Sequence, residues 1–151
     1  MSKGVTRFLE ATAGLDLQVT EMDDSTHTAQ EAADAVGAPV AAIVKSLVFL
    51  ADGQPLLVLV SGPNRVDVDA LGQRLDVTLT KADADTVKDA TGYSIGGVPP
   101  FGHPNRLRCV MDEDFMVVEQ LWAAAGSAKA VFPIAPEKLR ELSQASLIQV
   151  T

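Results

Sequence analysis

The stretch Ile43-Val-Lys-Ser-Leu-Val-Phe-Leu-Ala-Asp-Gly-Gln-Pro-Leu-Leu-Val-Leu-Val60 decides the fold of this chain. Residues 43–50 and 55–60 are rich in β-branched and other apolar side chains, and the Asp52-Gly53 pair between them is a strong hairpin signal. Successive side chains of a strand point to opposite faces, and the first run is mostly apolar on both. The pattern therefore predicts a central hairpin that carries one cation, Lys45.

The rest of the chain alternates between helical and extended patterns. Helices are predicted over residues 3–13, over 28–37 behind the capping box Thr28-Ala-Gln-Glu31, after a cap at Asp67 or Asp69, over 82–91 and over 136–143. Strands are predicted over residues 15–19, 77–79, 107–111, 115–123 and 128–134, the last two on either side of Gly126-Ser127. No repeat or linker interrupts this order, so we expect residues 1–151 to form one α+β domain around a mixed sheet.

Composition narrows the class of protein. The chain has 151 residues, 47% of them hydrophobic, which suits a globular domain with a real core. It has no apolar run of membrane-spanning length, no signal-peptide pattern and only one cysteine, so we expect a cytoplasmic protein without an intramolecular disulfide. Its net charge of −8 argues against a DNA-binding surface, although a local basic patch could still hold one end of an RNA.

A long loop rich in glycine and proline follows the predicted helix 82–91. It reads Gly92-Tyr-Ser-Ile-Gly-Gly-Val-Pro-Pro-Phe-Gly-His103 and matches neither a Walker phosphate loop nor the dinucleotide-binding fingerprint. Its glycines could simply form turns, but they also allow backbone N–H groups to approach an anion or a carbonyl oxygen closely. Together with the strand cation, the loop favours an anionic, ribose-bearing ligand.

Two roles are open for Lys45. It could extend its ammonium group to solvent at the end of the strand or pair with a carboxylate, as an ordinary strand lysine does. It could instead hold a phosphate or ribose oxygen of a ligand as a compact cation. The strand pattern alone leaves both roles open.

Other chemistries find little support in the sequence. His27, His103 and Cys109 have no metal-ligand spacing, so no metal or other cofactor is expected. The Gly-x-Ser-x-Gly elbow of serine hydrolases is absent. His27 is interpreted as a helix-start residue, whereas Cys109 and Trp122 are interpreted as core residues of apolar strands.

Four motifs together resemble a known family. They are His-Thr-Ala-Gln-Glu-Ala-Ala (27–33), Ile-Val-Lys-Ser-Leu-Val-Phe (43–49), Gly-Tyr-Ser-Ile-Gly-Gly-Val-Pro-Pro-Phe-Gly (92–102) and Ala-Gly-Ser (125–127). In order and spacing they are similar to the YbaK/ProX (EbsC-like) family of trans-editing aminoacyl-tRNA deacylases. The family is related to the editing domain of bacterial prolyl-tRNA synthetases. The resemblance implies a mixed, barrel-like curled sheet flanked by helices.

The resemblance also implies a set of site residues. Lys45 matches the family's essential lysine, and Ser46 follows it as the second catalytic candidate. The implied substrate-binding residues lie in the glycine-rich loop and in the C-terminal turn: Gly92, Gly96, Gly97, Val98, Pro99, Pro100, Phe101, Gly102, His103, Gly126 and Ser127. The implied partners are the acceptor end of an aminoacyl-tRNA and, as a further candidate, prolyl-tRNA synthetase, with neither DNA nor a membrane.

The implied reaction is hydrolysis of an activated ester, so positioning a water and stabilising the developing oxyanion can suffice. We expect Lys45 to hold phosphate or ribose oxygens, amides of residues 96–102 to hold the amino acid, and Ser46 and Ser127 to orient water or the substrate amine. Val98 and Pro99 are expected to limit the pocket to small amino acids, with a tRNA for proline or a related tRNA as carrier.

Two alternatives stay open beside this interpretation: a non-catalytic module that binds aminoacyl-tRNA or a nucleotide, and a small-molecule esterase or amidase. If the loop is the site, Gly97 and Gly102 should lie against the ligand or need positive φ. Replacing Gly97 with valine is then expected to lower activity far more than stability.

Overall fold

The computed structural model describes residues 2–23 and 27–151. These ranges contain five helices and eight strands, together with short 3₁₀ turns at Val40–Ala42 and Glu113–Val117. In chain order they are α1 (Lys3–Ala11), β1 (Thr20–Glu21), α2 (Ala29–Val36), β2 (Val44–Ala51), β3 (Gln54–Ser61), α3 (Val68–Leu75), β4 (Leu79–Lys81), α4 (Ala84–Thr91), β5 (Arg108–Asp112), β6 (Leu121–Ala124), β7 (Ala130–Ile134), α5 (Pro136–Ser143) and β8 (Ser146–Ile148).

The predicted central hairpin is confirmed. Strands β2 and β3 pair antiparallel from Val44 opposite Ser61 to Ala51 opposite Gln54. Asp52 and Gly53 connect them with φ values of 49° and 84°. Positive φ at both positions is the conformation of the two-residue hairpin turn that matches the twist of the strands.

The strands form two sheets. The larger has the order β4-β2-β3-β5-β8 and is mixed, since β3 pairs antiparallel with β2 but parallel with β5. The smaller has the order β1-β7-β6. A parallel bridge between Ile43 and Trp122 joins the sheets where β2 begins. This confirms the predicted α+β fold with a mixed, curled sheet, although the described strands do not close into a barrel.

The core lies on both faces of the larger sheet. Leu57 and Leu59 of β3 pack into the main cluster, which also holds side chains of α1, α4, α5, β6 and β7. Leu56, Val58 and Val60 point the other way, into a second cluster with α3. Burial on both faces explains why β3 is a continuous apolar run rather than an alternating one.

Helix ends follow the sequence signals. Thr28 Oγ1 accepts the Glu31 N–H at 3.1 Å, as the capping box predicts, and Gly37 ends α2 at φ 69°. Asp67 is the residue that caps α3. Gly92 ends α4 in the left-handed conformation, at φ 81°. Since glycine adopts this conformation without a Cβ penalty, it suits the point where the chain leaves α4 for the loop.

Two expectations about strands were wrong, and one strand was missed. Residues 15–19 are not a strand, because the chain turns through positive φ at Gly14 and Asp16, and only Thr20–Glu21 then pairs with β7. The strand expected over 115–123 begins at Leu121, because the Asp112 carboxylate accepts the Asp114 N–H and starts a 3₁₀ turn. Strand β8 was not predicted at all.

No helix in the described part of the chain has the length and hydropathy needed to cross a membrane.

Candidate functional site

A cavity of about 620 Å³ opens between β2, one side of α2, the start of the glycine-rich loop and the β6–β7 hairpin. We call it the β2 cavity. Its walls are mostly apolar, formed by residues such as Val44, Val48, Val87, Ala123 and Trp122. A pocket of this size and lining suits a small organic ligand whose orientation is fixed by a few polar groups.

Ser46 is one of those polar groups. It lines the β2 cavity, and its hydroxyl oxygen is buried without a hydrogen-bond partner among the described residues. A buried hydroxyl normally finds a partner, because leaving it unpaired costs about 1–3 kcal/mol. Within an apolar cavity, an unpaired hydroxyl is suited to bond a polar atom of a ligand.

Lys45 is one of two lysines that line the β2 cavity, the other being Lys81. The Lys45 side chain is half-buried, and its Nζ donates to the backbone carbonyl of Asn64 at 2.5 Å. Burial lowers the pKa of Lys45, the neighbouring Arg65 guanidinium lowers it further, and the Asp112 carboxylate acts in the opposite direction. Among the charged groups that shift this pKa, Asp112 is the one with a negative charge. The environment of the Lys45 ammonium therefore favours an anionic ligand.

Internal hydrogen bonds hold the glycine-rich loop in shape. The Tyr93 hydroxyl donates to the Gly102 carbonyl at 2.8 Å, His103 Nε2 donates to the Pro99 carbonyl at 2.8 Å, and Arg7 donates to the Gly92 carbonyl. The Gly97 N–H donates to Ser94 O at 3.0 Å. The Gly97 amide is thus used within the loop, contrary to the expectation that it binds the amino acid.

The predicted site residues separate into two groups. Those that line the β2 cavity are Lys45, Ser46, Gly96, Val98 and Ser127. Those that lie outside its lining are Gly92, Gly97, Pro99, Pro100, Phe101, Gly102, His103 and Gly126. The structure therefore brings together the strand, the start of the loop and the C-terminal turn, but not the end of the loop.

The second group has structural contacts instead. Phe101 packs in the core against Phe8 in a tilted arrangement and edge-to-face against Phe132, at centroid distances of 5.8 and 5.7 Å. Gly126 has φ 103°, and a Cβ there would lie 2.3 Å from the carbonyl oxygen of Gly4. Gly102 does need positive φ, as expected, at 86°, but it packs against Phe8. For these residues the glycine-rich sequence reflects packing of the loop rather than contact with a ligand in the β2 cavity.

The end of the loop borders a different space. Residues 100–104 line a second cavity of about 290 Å³, together with side chains that include Arg106, Cys109 and Ser143. The Cys109 thiol is buried and bonds weakly to Val110 O at 3.8 Å, and burial raises its pKa to about 12. It is a core residue, as the sequence predicted, and a poor nucleophile.

Several cavity residues were not predicted. His27 and Trp122 both line the β2 cavity, although one was interpreted as a helix-start residue and the other as core. Ile95 and Lys81 also line it, with Ile95 64% exposed. No local sequence pattern distinguished these residues as lining a cavity, because the contacts that form the β2 cavity join distant parts of the chain.

His103 gives the first testable prediction, a pH effect on stability. Burial lowers the pKa of His103, so the folded protein favours the neutral imidazole. In the unfolded chain the His103 imidazole takes up a proton near pH 6.5. Below that pH, protonation stabilises the unfolded state, so the free energy of unfolding falls. We expect the unfolding free energy of wild type to fall more than that of His103→Gln between about pH 7.5 and about pH 5, by urea titration. Equal falls in the two proteins would contradict this.

In the described part of the chain, no group of three or more His, Cys, Asp or Glu side chains is arranged to hold a metal ion.

The fold and the β2 cavity define a small α+β ligand-binding domain whose apolar cavity is lined by Lys45, Lys81 and the unpaired Ser46 hydroxyl. Residues 23–142 match the model of the aminoacyl-tRNA editing domain family, and the chain belongs to that family. This agrees with the resemblance that the four sequence motifs indicated.

Individual proteins are also similar to this chain in structure or in sequence. A solved structure of a proposed trans-editing enzyme for prolyl tRNA synthetase superimposes with a TM-score of 0.94 at 39% identity, covering 100% of this chain and 98% of that one. The uncharacterized protein YwhH of Bacillus subtilis is 29% identical over 126 residues, or 83% of this chain and 80% of YwhH. The proline–tRNA ligase of Lactobacillus gasseri is 36% identical over 87 residues, which are 57% of this chain but only 15% of the ligase.

Proposed function

We propose that this protein hydrolyses the ester bond of mischarged aminoacyl-tRNA that carries a small, uncharged amino acid, with tRNA for proline as the preferred carrier. The observation that carries the proposal is an apolar cavity whose lining includes both Lys45 and the unpaired Ser46 hydroxyl. Family membership and the relatives named for prolyl-tRNA synthesis support the carrier.

The cavity suits the acceptor end of a charged tRNA. At about 620 Å³ it has room for a small aminoacyl group and part of the terminal ribose. Lys45 would hold ribose or phosphate oxygens, and the apolar walls would receive an uncharged side chain. A charged amino acid would lose hydration there without gaining a partner, so the cavity disfavours it.

The reaction would be attack of water on the ester carbonyl. The water oxygen bonds to the carbonyl carbon, the bond from that carbon to the ribose oxygen breaks, and the ribose oxygen takes a proton. The products are the free amino acid and the uncharged tRNA. The Lys45 ammonium would stabilise negative charge on the oxygens near the ribose, and the Ser46 hydroxyl would orient the water or the substrate amine.

No carboxylate lines the described part of the β2 cavity. A general base of the Asp or Glu type is therefore not provided there. Because an aminoacyl ester is already activated, orientation of the water and stabilisation of the oxyanion can supply the acceleration. The same absence also suits a module that binds aminoacyl-tRNA without cleaving it, so the experiment must distinguish the two.

A deacylation assay over a panel of charged tRNAs tests the proposal. We expect release of small, uncharged amino acids, such as alanine or serine, from tRNA for proline, and slower release of proline, phenylalanine and aspartate from the same tRNA. A free aminoacyl ester serves as the control, because a general esterase would cleave it equally well. Binding of the charged tRNAs without release of any amino acid would favour the non-catalytic module.

A further inference from the structure

A buried carboxylate lies behind the lysine of the β2 cavity. Asp112, at the end of β5, is only 1% exposed. Its Oδ2 accepts the Ser61 N–H at 3.0 Å and the Asn64 side-chain amide at 2.8 Å, and its Oδ1 accepts the Asp114 N–H at 3.0 Å. Because β3 and β5 run parallel, their carboxyl ends lie at the same edge of the sheet. At that edge Asp112 accepts hydrogen bonds from the end of β3 and from the segment that follows it.

Asn64 connects this carboxylate to Lys45. Its side-chain amide nitrogen donates to Asp112 Oδ2 and also to Asp114 Oδ2, at 2.7 Å. An amide nitrogen carries two hydrogens, so both are used and the orientation of the side chain is fixed. The backbone carbonyl of the same residue accepts the Lys45 ammonium at 2.5 Å.

The position of the Lys45 ammonium therefore depends on residues far away in the sequence. A lysine side chain has four rotatable bonds and is not held in place by its own strand. In the structure, the hydrogen bond to Asn64 O sets where the ammonium lies, and Asp112 sets where Asn64 lies. Neither Asn64 nor Asp112 lines the β2 cavity, so each would act through Lys45 rather than on a ligand.

We propose that Asn64 and Asp112 are positioning residues for Lys45. They hold the segment after β3 so that the Asn64 carbonyl fixes the position of the Lys45 ammonium. The kinetic consequence of this inference rests on the proposed deacylase function, whereas its structural consequence does not.

The charges around Lys45 give a readout that a purely structural role would not produce. The charged groups that face it are Arg65, from the segment after β3, and Asp112, from β5. Arg65 lowers the pKa of Lys45 and Asp112 raises it. Removing the two charges one at a time should therefore shift this pKa in opposite directions.

The experiment uses five variants of the whole chain, two matched pairs and Arg65→Gln. Asn64→Ala removes the side-chain amide but keeps the backbone carbonyl, and Asn105→Ala is its control, since Asn105 is an exposed asparagine in another loop. Asp112→Asn removes the buried charge, and Asp69→Asn removes an equal charge from the exposed surface of α3. The Lys45 ε-carbon is followed by NMR across a pH titration, and deacylation is measured as kcat and KM.

Asn64→Ala is expected to lower kcat by about 10- to 100-fold with a smaller change in KM, because a misplaced catalytic group mainly weakens the reaction of bound substrate. The Lys45 ε-carbon resonance should move towards that of a free lysine. Asp112→Asn should lower the pKa of Lys45, and Arg65→Gln should raise it. Both controls should behave as wild type.

Each outcome decides the proposal. Wild-type kinetics and an unchanged Lys45 resonance in Asn64→Ala would overturn it, as would an unchanged Lys45 pKa in a folded Asp112→Asn protein. If Asp112→Asn does not fold, Asn64→Ala and Arg65→Gln still carry the test, because both change exposed or half-buried side chains. If wild type releases no amino acid from any tRNA, the proposed function fails, but the NMR titration still tests the positioning.

Discussion

Replacing Lys45 with alanine is expected to lower the rate of deacylation by about 100-fold or more while the protein stays folded. Removing one preorganised donor from a reaction centre typically costs this much. Lys45 is half-buried, lies outside the hydrophobic clusters and donates a hydrogen bond to Asn64 O. Its loss therefore removes a charge from the β2 cavity but little core volume.

Two further variants make the Lys45 result specific. Lys81 also lines the β2 cavity, but it lies at the exposed end of β4, so Lys81→Ala should change the rate by less than about threefold, as loss of a surface charge does. Lys45→Arg should restore activity only in part, because the guanidinium is larger and forked. The measurements are single-turnover deacylation and thermal unfolding. A folded Lys45→Ala protein with a wild-type rate would refute the assignment.

The parts of the fold that sequence could predict are those set by neighbouring residues. The turn at Asp52-Gly53 needs two positive φ values that this pair adopts readily, so the hairpin was predictable from eighteen consecutive residues. The caps at Thr28 and Gly92 are equally local. Residues 15–19 show where such reasoning fails, since their alternation is real but the preceding turn takes them away from any strand partner.

The site was predictable only in part, for the same physical reason. A glycine-rich segment shows that backbone must approach something closely, but the sequence does not say what. Gly96 faces the β2 cavity, whereas Gly97, its neighbour, lies against the turn at Gly126-Ser127. The packing of β6 and β7, about thirty residues later in the chain, determines which glycine faces the cavity and which lies against protein.

The Asn64–Asp112 contact is invisible in the sequence for a related reason. The two residues are separated by 48 positions and meet because β5 pairs parallel with β3. Parallel pairing requires a long connection between the strands, here α3, β4, α4 and the glycine-rich loop. No local sequence pattern predicts which residues such a connection brings together.

Replacing Gly97 with valine is expected to lower stability and activity together. A Cβ atom on Gly97 would lie 2.6 Å from Ser127 Cα and 2.9 Å from Ser127 N. Both are backbone atoms, which cannot rotate away as the end of a flexible side chain can. Overpacking of this kind costs about 1–3 kcal/mol, and more where backbone must move. This replaces the sequence-based expectation that activity would fall far more than stability.

The activity should fall because the displaced turn is part of the site. Ser127 lines the β2 cavity, so pushing it away from the glycine-rich loop changes the shape of the cavity. Gly97→Ala should show the same effects to a smaller degree, and adding Ser127→Gly should not rescue either variant, because the clash is with backbone.

Gly96→Ala is the contrasting variant for this test. A Cβ there meets no atom within 4 Å, and its only penalty is the positive φ of 90°. Urea unfolding and deacylation of each protein provide the comparison. A Gly97→Val protein that melts like wild type but has lost its activity would show that Gly97 contacts the substrate after all. One that is unchanged in both respects would show that the loop and the turn are not packed as the structure has them.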